Sequence, residues 1–285
     1  MAIAATKPII RNPVSDISPD GNSLAVVTGA SSGIGFELAR RFIDAGYDLI
    51  IAAEDPGIHT AAERLKRNDL SVRAVQVDLS NYEGVETLYN AIKMDGRAVE
   101  AIAINAGVGV SGDFTEDTPL HDELKMIGLN VSSAVHLAKR VARDMVTNGQ
   151  GRILFTSSIA AAMPSPYLAV YGATKAFLFS FSEALRNELK DKGVTVTALL
   201  PEPTDTHFFD RAGMQNTKAG QGRKSDPADI ALQGFEAMMA GKDHVIGGSL
   251  KGHIQGALAG ILPETLKAEM SRRQLRPGSG DHRSH

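Results

Sequence analysis

Short apolar runs alternate along the chain with longer segments in which apolar side chains recur every three or four residues. In GIGFELARRFIDAG, for example, Ile34, Leu38 and Phe42 share one helix face, and Gly46 suits the end of a helix. Six apolar runs predict strands: LAVVT at 24–28, DLIIAA at 48–53, VRAVQV at 72–77, VEAIAI at 99–104, RILFTS at 152–157 and VTVTALL at 194–200. Because these runs are almost continuously apolar, we predict a parallel sheet with helices on both faces, a doubly wound, three-layer α/β/α single domain.

The pattern changes after the sixth run. Residues 203–225 are rich in Gly, Pro, Thr, Lys and Asp and predict a long loop, which often acts as a lid over a substrate site. A helical stretch follows from Asp226, and a last short apolar run, HVIGG, lies at 244–248. We expect the folded domain to span residues 24–271.

The two ends of the chain are polar. Residues 1–23 contain charged, polar and proline interruptions and predict a flexible arm. Residues 272–285 are basic, which predicts an unstructured, solvated tail. Between them no stretch approaches the roughly 18 consecutive apolar residues of a membrane helix, so we expect no membrane partner.

Composition narrows the class of function. The chain has 285 residues, and its 30 Lys and Arg against 33 Asp and Glu give a formal net charge of -3. This balance argues against nucleic acid as a partner and favours a small molecule. With no cysteine, a thiolate zinc site, a disulfide framework and a cysteine nucleophile are excluded, and we expect a cytoplasmic protein. No metal site is predicted.

Three glycines follow the first predicted strand in TGASSGIG, residues 28–35. Gly29, Gly33 and Gly35 allow a tight turn and leave room for a pyrophosphate to approach the backbone, while the next helix turns its N-terminus towards the anion. The spacing is G-x-x-x-G-x-G rather than the more common G-x-G-x-x-G. The segment predicts a dinucleotide phosphate site.

The same residues allow a second interpretation. Gly29, Ser31 and Gly33 satisfy G-x-S-x-G, the pattern of a hydrolase nucleophile elbow, for which His207 or His253 could be the base. Position disfavours this hypothesis, because a hydrolase elbow follows an established sheet and this turn follows the first strand.

Polar side chains also follow the next three strands. Glu54 lies nineteen residues after Gly35, near the spacing at which an acid binds the ribose hydroxyls of an adenosine, although it could equally open the turn made with Pro56. Asp78 follows the third strand, and Asn105 begins the segment NAG after the fourth. An acid at position 54 would repel a 2′-phosphate, so the choice between NAD and NADP stays open with a weak lean to NAD.

Tyr171 and Lys175 are four residues apart in YGATK, a spacing that places both side chains on one face of a helix. The pair alone fits either a proton-transfer site or two amphipathic side chains at the edge of a core.

Six motifs in unbroken order resemble the short-chain dehydrogenase/reductase family: TGASSGIG at 28–35, DLS at 78–80, NAGV at 105–108, LNVSS at 129–133, SSIA at 157–160 and YGATK at 171–175. The match spans residues 24 to about 206. The resemblance implies a Rossmann-type fold, NAD or NADP as cofactor, and hydride transfer between that cofactor and a secondary alcohol or carbonyl substrate. It also implies a homodimer or homotetramer.

The resemblance assigns four catalytic roles. Tyr171 matches the general acid/base and Lys175 its partner, while Asn130 supports a proton path through water and Ser158 orients the substrate. Ser157 is the alternative serine, but the thirteen-residue spacing to the tyrosine favours Ser158. A free tyrosine has a pKa of about 10, so the role requires a neighbouring ammonium to favour the phenolate.

The resemblance also assigns the cofactor site. The pyrophosphate turn matches Gly29, Ser32, Gly33, Ile34 and Gly35, and the adenine contact matches Asp78. Asn105 and Gly107 match the wall beside the ribose, and Thr206 matches the residue that contacts the carboxamide. The predicted cofactor site also includes Glu54, Tyr171 and Lys175. One position departs from the family, which reads Pro-Gly after the sixth strand, whereas Glu202 follows Pro201 here. A carboxylate there could crowd the nicotinamide, or it could turn outward and change little.

The sequence gives few indications of the substrate. Candidate pocket residues predict an apolar or mixed substrate: Ala160, Pro164, Tyr167, His207, Phe208 and Phe209. Residues 253–270 carry apolar side chains at helical spacing and could cover this pocket or form a subunit contact. A second class of function is a nucleotide-binding sensor without turnover, which the four catalytic candidates disfavour and Glu202 mildly favours.

Overall fold

A seven-stranded parallel sheet forms the centre of the computed structural model, which describes residues 23–67, 69–248 and 263–280. The strands are β1 (Leu24–Thr28), β2 (Asp48–Ala53), β3 (Val72–Gln76), β4 (Val99–Ile104), β5 (Gly151–Thr156), β6 (Val194–Pro201) and β7 (His244–Gly247). Their order across the sheet is β3-β2-β1-β4-β5-β6-β7. The six predicted strands therefore match the observed ones to within one residue at each end.

Ten helices connect or follow the strands within the described residues. They are α1 (Gly33–Asp44), α2 (Gly57–Leu65), α3 (Tyr82–Asp95), α4 (Leu120–Ile127), α5 (Ser133–Asn148), α6 (Ala169–Leu189), α7 (Phe208–Arg211), α8 (Lys218–Gln221), α9 (Pro227–Met239) and α10 (Glu264–Leu275). A π-helical turn, Gly128–Ser132, joins α4 to α5, and 3₁₀ turns occupy Ile159–Ala162 and Lys190–Lys192.

The helices cover both faces of the sheet. Side chains of β1 alternate between two cores: Leu24 and Val26 pack on the side of α3, α5 and α6, whereas Ala25 and Val27 pack on the side of α1, α2 and α9. This alternation explains why the run LAVVT is apolar throughout, since both of its faces are buried. The predicted doubly wound, three-layer α/β/α fold is confirmed.

The order of the strands determines where a ligand can bind. The chain builds β1, β2 and β3 towards one edge and then crosses to β4 on the other side of β1. At such a switch point the loops after neighbouring strands diverge and leave a crevice at the carboxyl ends of the strands. The predicted site residues after β1, β2, β3 and β4 all lie along this edge.

The predictions for the two ends of the chain have different outcomes. The unstructured tail predicted from Arg272 is wrong over its first part, because Arg272 lies inside α10 and residues 276–280 form a turn. Leu275 packs against the apolar cluster around Tyr171, and the Gly280 amide donates to the Asn216 carbonyl at 2.9 Å, so these contacts hold a segment whose composition is polar. The predicted arm, apart from Ser23, and residues 253–262 lie outside the described residues.

None of the helices in the described ranges combines the length and apolarity that a membrane crossing needs.

Candidate active site

The glycine turn after β1 is shaped by close backbone contacts. Gly29 and Gly33 adopt φ values of +66° and +58°, a region that side-chain-bearing residues rarely occupy. At Gly35, a Cβ atom would lie 2.1 Å from the Gly29 carbonyl oxygen, so only glycine lets α1 start this close to the end of β1. The sequence TGASSGIG thus places the first turn of α1 directly at the sheet edge.

The start of α1 has the donor set that an anion requires. Ser32 is the N-cap residue in extended conformation, and its hydroxyl makes no capping hydrogen bond. The first amides of an α-helix have no partner within the helix, so the amides of Gly33, Ile34 and Gly35 are directed towards the crevice. The turn therefore fits a pyrophosphate group in both space and chemistry.

Thr28 ties the two halves of the sheet together at this point. Its hydroxyl accepts from the amides of Asn105 and Ala106, each at 3.0 Å, and its carbonyl accepts from the Asn105 side-chain amide at 3.1 Å. Asn105 therefore holds the loop after β4 against the end of β1.

Two adjacent acidic residues after β2, Glu54 and Asp55, have side chains with different environments. The Ser31 hydroxyl donates to the Asp55 carboxylate at 2.6 Å, which brings Asp55 against the glycine turn. Glu54 instead extends outward, and its side chain is 60% exposed. Of the two acids, the one that lies beside the turn is Asp55, which the sequence interpretation did not select.

Lys125 of α4 bridges the ends of β2 and β3. Its ammonium lies 3.2 Å from the Glu54 carboxylate and 4.0 Å from that of Asp78. Burial favours the neutral form of Asp78, but hydrogen bonds from Ser80 and the charge of Lys125 outweigh it and lower the pKa of Asp78. We call the region formed by Glu54, Asp55, Asp78 and Lys125 the adenosine end.

Tyr171 and Lys175 lie together in the interior, on one face of α6. Tyr171 is 8% exposed and Lys175 4% exposed. The Lys175 ammonium donates to the Thr156 carbonyl at the end of β5 at 2.9 Å and lies 5.7 Å from the centre of the Tyr171 ring. The amphipathic, core-edge interpretation of this pair does not fit, because the ammonium is buried rather than extended to solvent.

Burial dominates the protonation of both groups. It raises the pKa of Tyr171 to about 12, although a hydrogen bond with Ser158 opposes the shift. Burial lowers the pKa of Lys175 to about 8. The expectation of a lowered tyrosine pKa is therefore wrong for this state of the chain, because desolvation of the phenolate determines the direction of the shift. At neutral pH the chain presents a protonated phenol beside a protonated amine.

Asn130 lies in the π-helical turn and holds the loop after β4. Its side-chain amide donates to the Val108 carbonyl at 2.9 Å and to the Thr174 hydroxyl at 3.0 Å, while its carbonyl oxygen accepts from the Val108 amide at 3.0 Å. A Cβ atom added to Gly107 would lie 3.1 Å from the Asn130 side-chain oxygen and 3.2 Å from the Lys175 nitrogen. Gly107 therefore leaves the space beside these two groups open.

The two candidate serines have different environments. Ser158 faces Tyr171, and its hydroxyl accepts from the Ala160 amide at 3.1 Å. The Ser157 hydroxyl is buried and donates to the backbone carbonyl of Lys175 at 2.7 Å. Ser158 is thus the serine placed beside the phenol, and Ser157 fixes the backbone of α6. We call Asn130, Ser158, Tyr171 and Lys175 together the proton-transfer end.

The loop after β6 carries Thr206 and Glu202 in different directions. Thr206 lies against the glycine turn, since a Cβ atom on Gly33 would come within 3.0 Å of its methyl group. The Glu202 carboxylate accepts from the Ser225 hydroxyl, and its side chain packs against Gly248. Thr204 and Ser225 also form a β-bridge, so Glu202 contributes to the contacts that close the base of the predicted lid.

An apolar cluster covers the phenol. The Phe208 ring lies 5.1 Å from the Tyr171 ring, and Ala160 packs in the same cluster. Phe209 is buried, whereas the His207 side chain is 71% exposed and lies 3.9 Å from Asp210.

Two other pocket candidates lie further out. Pro164 is exposed, and the Tyr167 ring contacts the Arg272 guanidinium at 5.7 Å. Of the six predicted pocket residues, Ala160, Phe208 and Phe209 are thus the three that share a cluster with Tyr171.

The sequence profile of the short chain dehydrogenase family matches residues 23–217. The chain belongs to this family. Among short-chain dehydrogenases and their relatives, Sulfoacetaldehyde reductase 2 of Chromohalobacter salexigens is 31% identical over 189 residues, which cover 66% of this chain and 75% of that protein. Probable oxidoreductase EphD of Mycobacterium tuberculosis strain H37Rv is 33% identical over 196 residues, 68% of this chain and 33% of that longer protein.

Solved short-chain dehydrogenase structures share the fold. One from Sphingobium yanoikuyae in complex with NADPH is 29% identical, with a TM-score of 0.75 and coverage of 87% of this chain and 95% of that chain. A 3-ketoacyl-(acyl-carrier-protein) reductase from Brucella melitensis complexed with NADH is 26% identical, with a TM-score of 0.70 and coverage of 79% and 97%.

Sequence reasoning missed several residues that support the site. Thr28 and Thr174 were visible inside quoted motifs, and their hydroxyls connect elements that are distant in sequence. Lys125 had no motif around it. The hydrolase hypothesis fits poorly, since the Ser31 hydroxyl is bound by the Asp55 carboxylate rather than an imidazole. His253 lies outside the described residues.

Proposed function

We propose that this chain is an NAD(P)-dependent oxidoreductase that interconverts a secondary alcohol and its carbonyl, with Tyr171 as the general acid/base. The observation that carries the proposal is the buried pair on α6, a phenol and an ammonium beside the Ser158 hydroxyl. Burying a charged amine is costly unless it is paired with an opposite charge. Lys175 is bound by the Thr156 backbone carbonyl, and no carboxylate of the described residues pairs with it, which is typical of a functional site.

The proton-transfer end supplies the acid. A nicotinamide cofactor, when bound, supplies the redox chemistry. The Tyr171 phenol, protonated at neutral pH, donates its proton to the carbonyl oxygen of the substrate in the reductive direction, and the Ser158 hydroxyl donates a hydrogen bond that orients that oxygen. In the oxidative direction Tyr171 must first lose its proton. The charge of Lys175 favours the resulting phenolate, which then accepts the proton of the substrate hydroxyl.

The remaining residues position and supply this centre. Asn130 fixes the loop that borders the Lys175 ammonium, and we propose that it supports a water-mediated path by which the proton is replaced. Gly29, Ser32, Gly33, Ile34 and Gly35 hold the pyrophosphate, Asn105 and Gly107 border the ribose, and Thr206 contacts the carboxamide. The contact of Thr206 with the glycine turn and the room beside Gly107 support this assignment.

NAD is the cofactor we favour, with NADP as the alternative. Asp55 lies against the glycine turn, and Glu54, whose side chain extends outward to Lys125, adds a second negative charge after β2. Carboxylates accept hydrogen bonds from ribose hydroxyls and repel a phosphate. Asp78 is assigned to the adenine.

The substrate we infer is apolar or of mixed character. Phe208 and Ala160 cluster with Tyr171, so the group next to the reacting carbon meets hydrocarbon rather than charge. Because Phe208 lies over a phenol that is almost fully buried, we propose that residues 203–225 act as a lid that must open for the substrate to enter.

Assembly and location belong to the same proposal. A homodimer or homotetramer is supported by exposed apolar side chains, Leu120 and Leu124 on α4 and Phe177 on α6, which a contact between copies would cover. Sedimentation equilibrium measures the mass directly. Cell fractionation tests the cytoplasmic location.

Two measurements test the function. Titration with NADH and NADPH, followed by fluorescence, establishes which dinucleotide binds, and a panel of ketones and secondary alcohols establishes turnover. We expect binding and turnover, with turnover lowered about 10³-fold in Tyr171→Phe. Binding without turnover across the panel would favour the nucleotide sensor instead.

A further inference from the structure

Lys125 occupies a position between three elements of the adenosine end. It comes from α4, and its ammonium meets Glu54 after β2 at 3.2 Å and Asp78 after β3 at 4.0 Å. The hydrogen bond to Glu54, with the charge of Asp78 adding to it, raises the pKa of Lys125, so the group is positively charged throughout the physiological range.

The Lys125 ammonium is exposed enough to exchange Glu54 for another negatively charged group. The Lys125 side chain is 43% exposed and that of Glu54 60% exposed. Exposed ion pairs contribute little to stability, so this pair opens at little cost. A shallow surface groove, open to solvent, lies beside it and is lined by Asp78, Ser80, His121, Leu124 and Lys125, next to the acid assigned to the adenine.

The negative charges at the adenosine end repel a 2′-phosphate on the cofactor unless a positively charged side chain lies beside them. Glu54, Asp55 and Asp78 are three carboxylates at the ends of two neighbouring strands. Dinucleotide folds that accept a 2′-phosphate provide a cation near the end of the second strand, but here Glu54 and Asp55 follow that strand. Lys125 brings a cation to the same place from α4.

We propose that Lys125 is a specificity-determining residue of the cofactor site. When the adenosine carries a 2′-hydroxyl, Lys125 stays paired with Glu54. When the adenosine carries a 2′-phosphate, the Lys125 ammonium separates from Glu54 and binds the phosphate. This inference rests on the proposed function and concerns which form of the cofactor that site takes. Its physical basis is competition, because a phosphate carrying nearly two negative charges attracts the ammonium more strongly than one exposed carboxylate does.

Two probes without the nicotinamide isolate this end. ADP-ribose and 2′-phospho-ADP-ribose differ only at the 2′ position, and calorimetry gives their dissociation constants without any need for turnover. In wild type we expect ADP-ribose to bind more tightly, since Glu54 and Asp55 oppose the phosphate.

Lys125→Met is the first variant. We expect it to weaken 2′-phospho-ADP-ribose about tenfold or more, the value of one charge-assisted hydrogen bond, and to change ADP-ribose less than about threefold. Lys125→Arg is expected to restore most of the loss. Glu54→Gln removes the competing carboxylate and is expected to tighten 2′-phospho-ADP-ribose about tenfold.

The matched control is Lys93→Met. Lys93 is also an exposed lysine paired with one carboxylate, Asp144, at 3.2 Å, but it lies on α3 against α5 and outside the proposed site. It removes the same charge from the protein, so any general loss of attraction for anions appears in both variants.

The outcomes are distinct. Equal weakening of both probes in Lys125→Met, or an effect matched by Lys93→Met, would overturn the proposal, because it would show general attraction rather than recognition of the 2′ group. If wild type binds the probes but never turns over a substrate, the proposed function fails while this inference is judged on the binding data. If wild type binds neither probe, both are wrong.

Discussion

The two ends of the crevice hold their charges in opposite ways. At the proton-transfer end, Lys175 and Tyr171 are buried, and protein groups determine their protonation. At the adenosine end, Glu54 and Lys125 form an exposed pair that water screens. Interactions in a dry interior are strong and hard to rearrange, whereas exposed pairs are weak and exchange easily. The comparison teaches that the buried environment suits proton transfer, which needs fixed groups, and that the exposed environment suits ligand recognition in which ion pairs can exchange partners.

Removing the phenol oxygen tests the buried end most severely. Tyr171→Phe keeps the ring and its packing on Phe208 but deletes the acid, so we expect turnover to fall about 10³-fold, within the range of general acid–base catalysis. Steady-state kinetics with the best substrate of the panel measures this. Dinucleotide affinity should stay within about twofold, because the aromatic ring is kept and the pyrophosphate turn and the adenosine end are unchanged. Turnover at the wild-type rate would rule out the assigned role.

We predict a catalytic role for Ser158 and a structural role for the adjacent Ser157. Ser158→Ala removes the hydroxyl that faces Tyr171 and is expected to lower turnover about 10²-fold, the effect of losing one donor on a reacting oxygen. Ser157→Ala removes the bond to the Lys175 carbonyl and is expected to cost about 1 kcal/mol of stability, with a much smaller kinetic effect. Kinetics and urea unfolding of both variants decide the matter. The reverse ranking in turnover would favour Ser157 as the substrate-orienting residue.

Titration of Lys175 gives the buried end a signature in stability. Below pH 8 the folded and unfolded chains both carry this proton, and the folded state bears the cost of the buried charge. Between about 8, its folded pKa, and its ordinary value of 10.5, the folded chain has released the proton and the unfolded chain has not, so stability rises with pH. Between pH 7 and 9.5 we expect a gain of at most about 2 kcal/mol relative to Lys175→Met.

Denaturant unfolding at both pH values measures this difference. Tyr171 does not interfere, because its raised pKa lowers stability only above pH 10, its ordinary value. Lys125→Met, which removes an exposed lysine and keeps Lys175, serves as a contrast: the difference in stability between wild type and this variant should show no such gain. If wild type and Lys175→Met show parallel pH dependence, the amine does not titrate as a buried group.

Glu202→Gly has the smallest expected effect and tests a residue that belongs to neither end. Its side chain contacts Ser225 and Gly248, so we expect affinity for the oxidised cofactor to change less than about twofold. Ser225→Ala removes the same contact from the other side and should behave alike. A large change in affinity confined to Glu202→Gly would mean that the carboxylate acts on the nicotinamide.

Elements whose signal is local were predictable from the sequence. The runs LAVVT and DLIIAA are apolar because β1 and β2 are buried on both faces, and the glycines of the turn are dictated by their own backbone. Ser158 could be preferred over Ser157 from spacing. These features depend on residues close together in the chain, so the pattern carries them.

Features that depend on contacts across the fold were not predictable. Glu54 and Asp55 are neighbours of the same type, and only the direction of the chain after β2 shows that Asp55 meets Ser31. Lys125 reaches the ends of β2 and β3 from a helix more than forty residues later. The prediction for the tail was wrong over its first part, because its polar composition does not show the contacts that Leu275 and Gly280 make with distant segments.

The π-helical turn between α4 and α5 carries a further consequence. The turn continues the backbone of both helices, with helical φ and ψ at its two caps, so α4 and α5 form one rod with a wider loop of chain in its middle. Wider turns of this kind shift the angular phase of one half of a helix against the other. Deleting one residue from 128–132 would rotate α4 by about 100° about the axis of α5. Lys125 would then face away from Glu54, and Asn130 would lose Val108. The phase of this one turn thus couples the orientation of residues at both ends of the crevice.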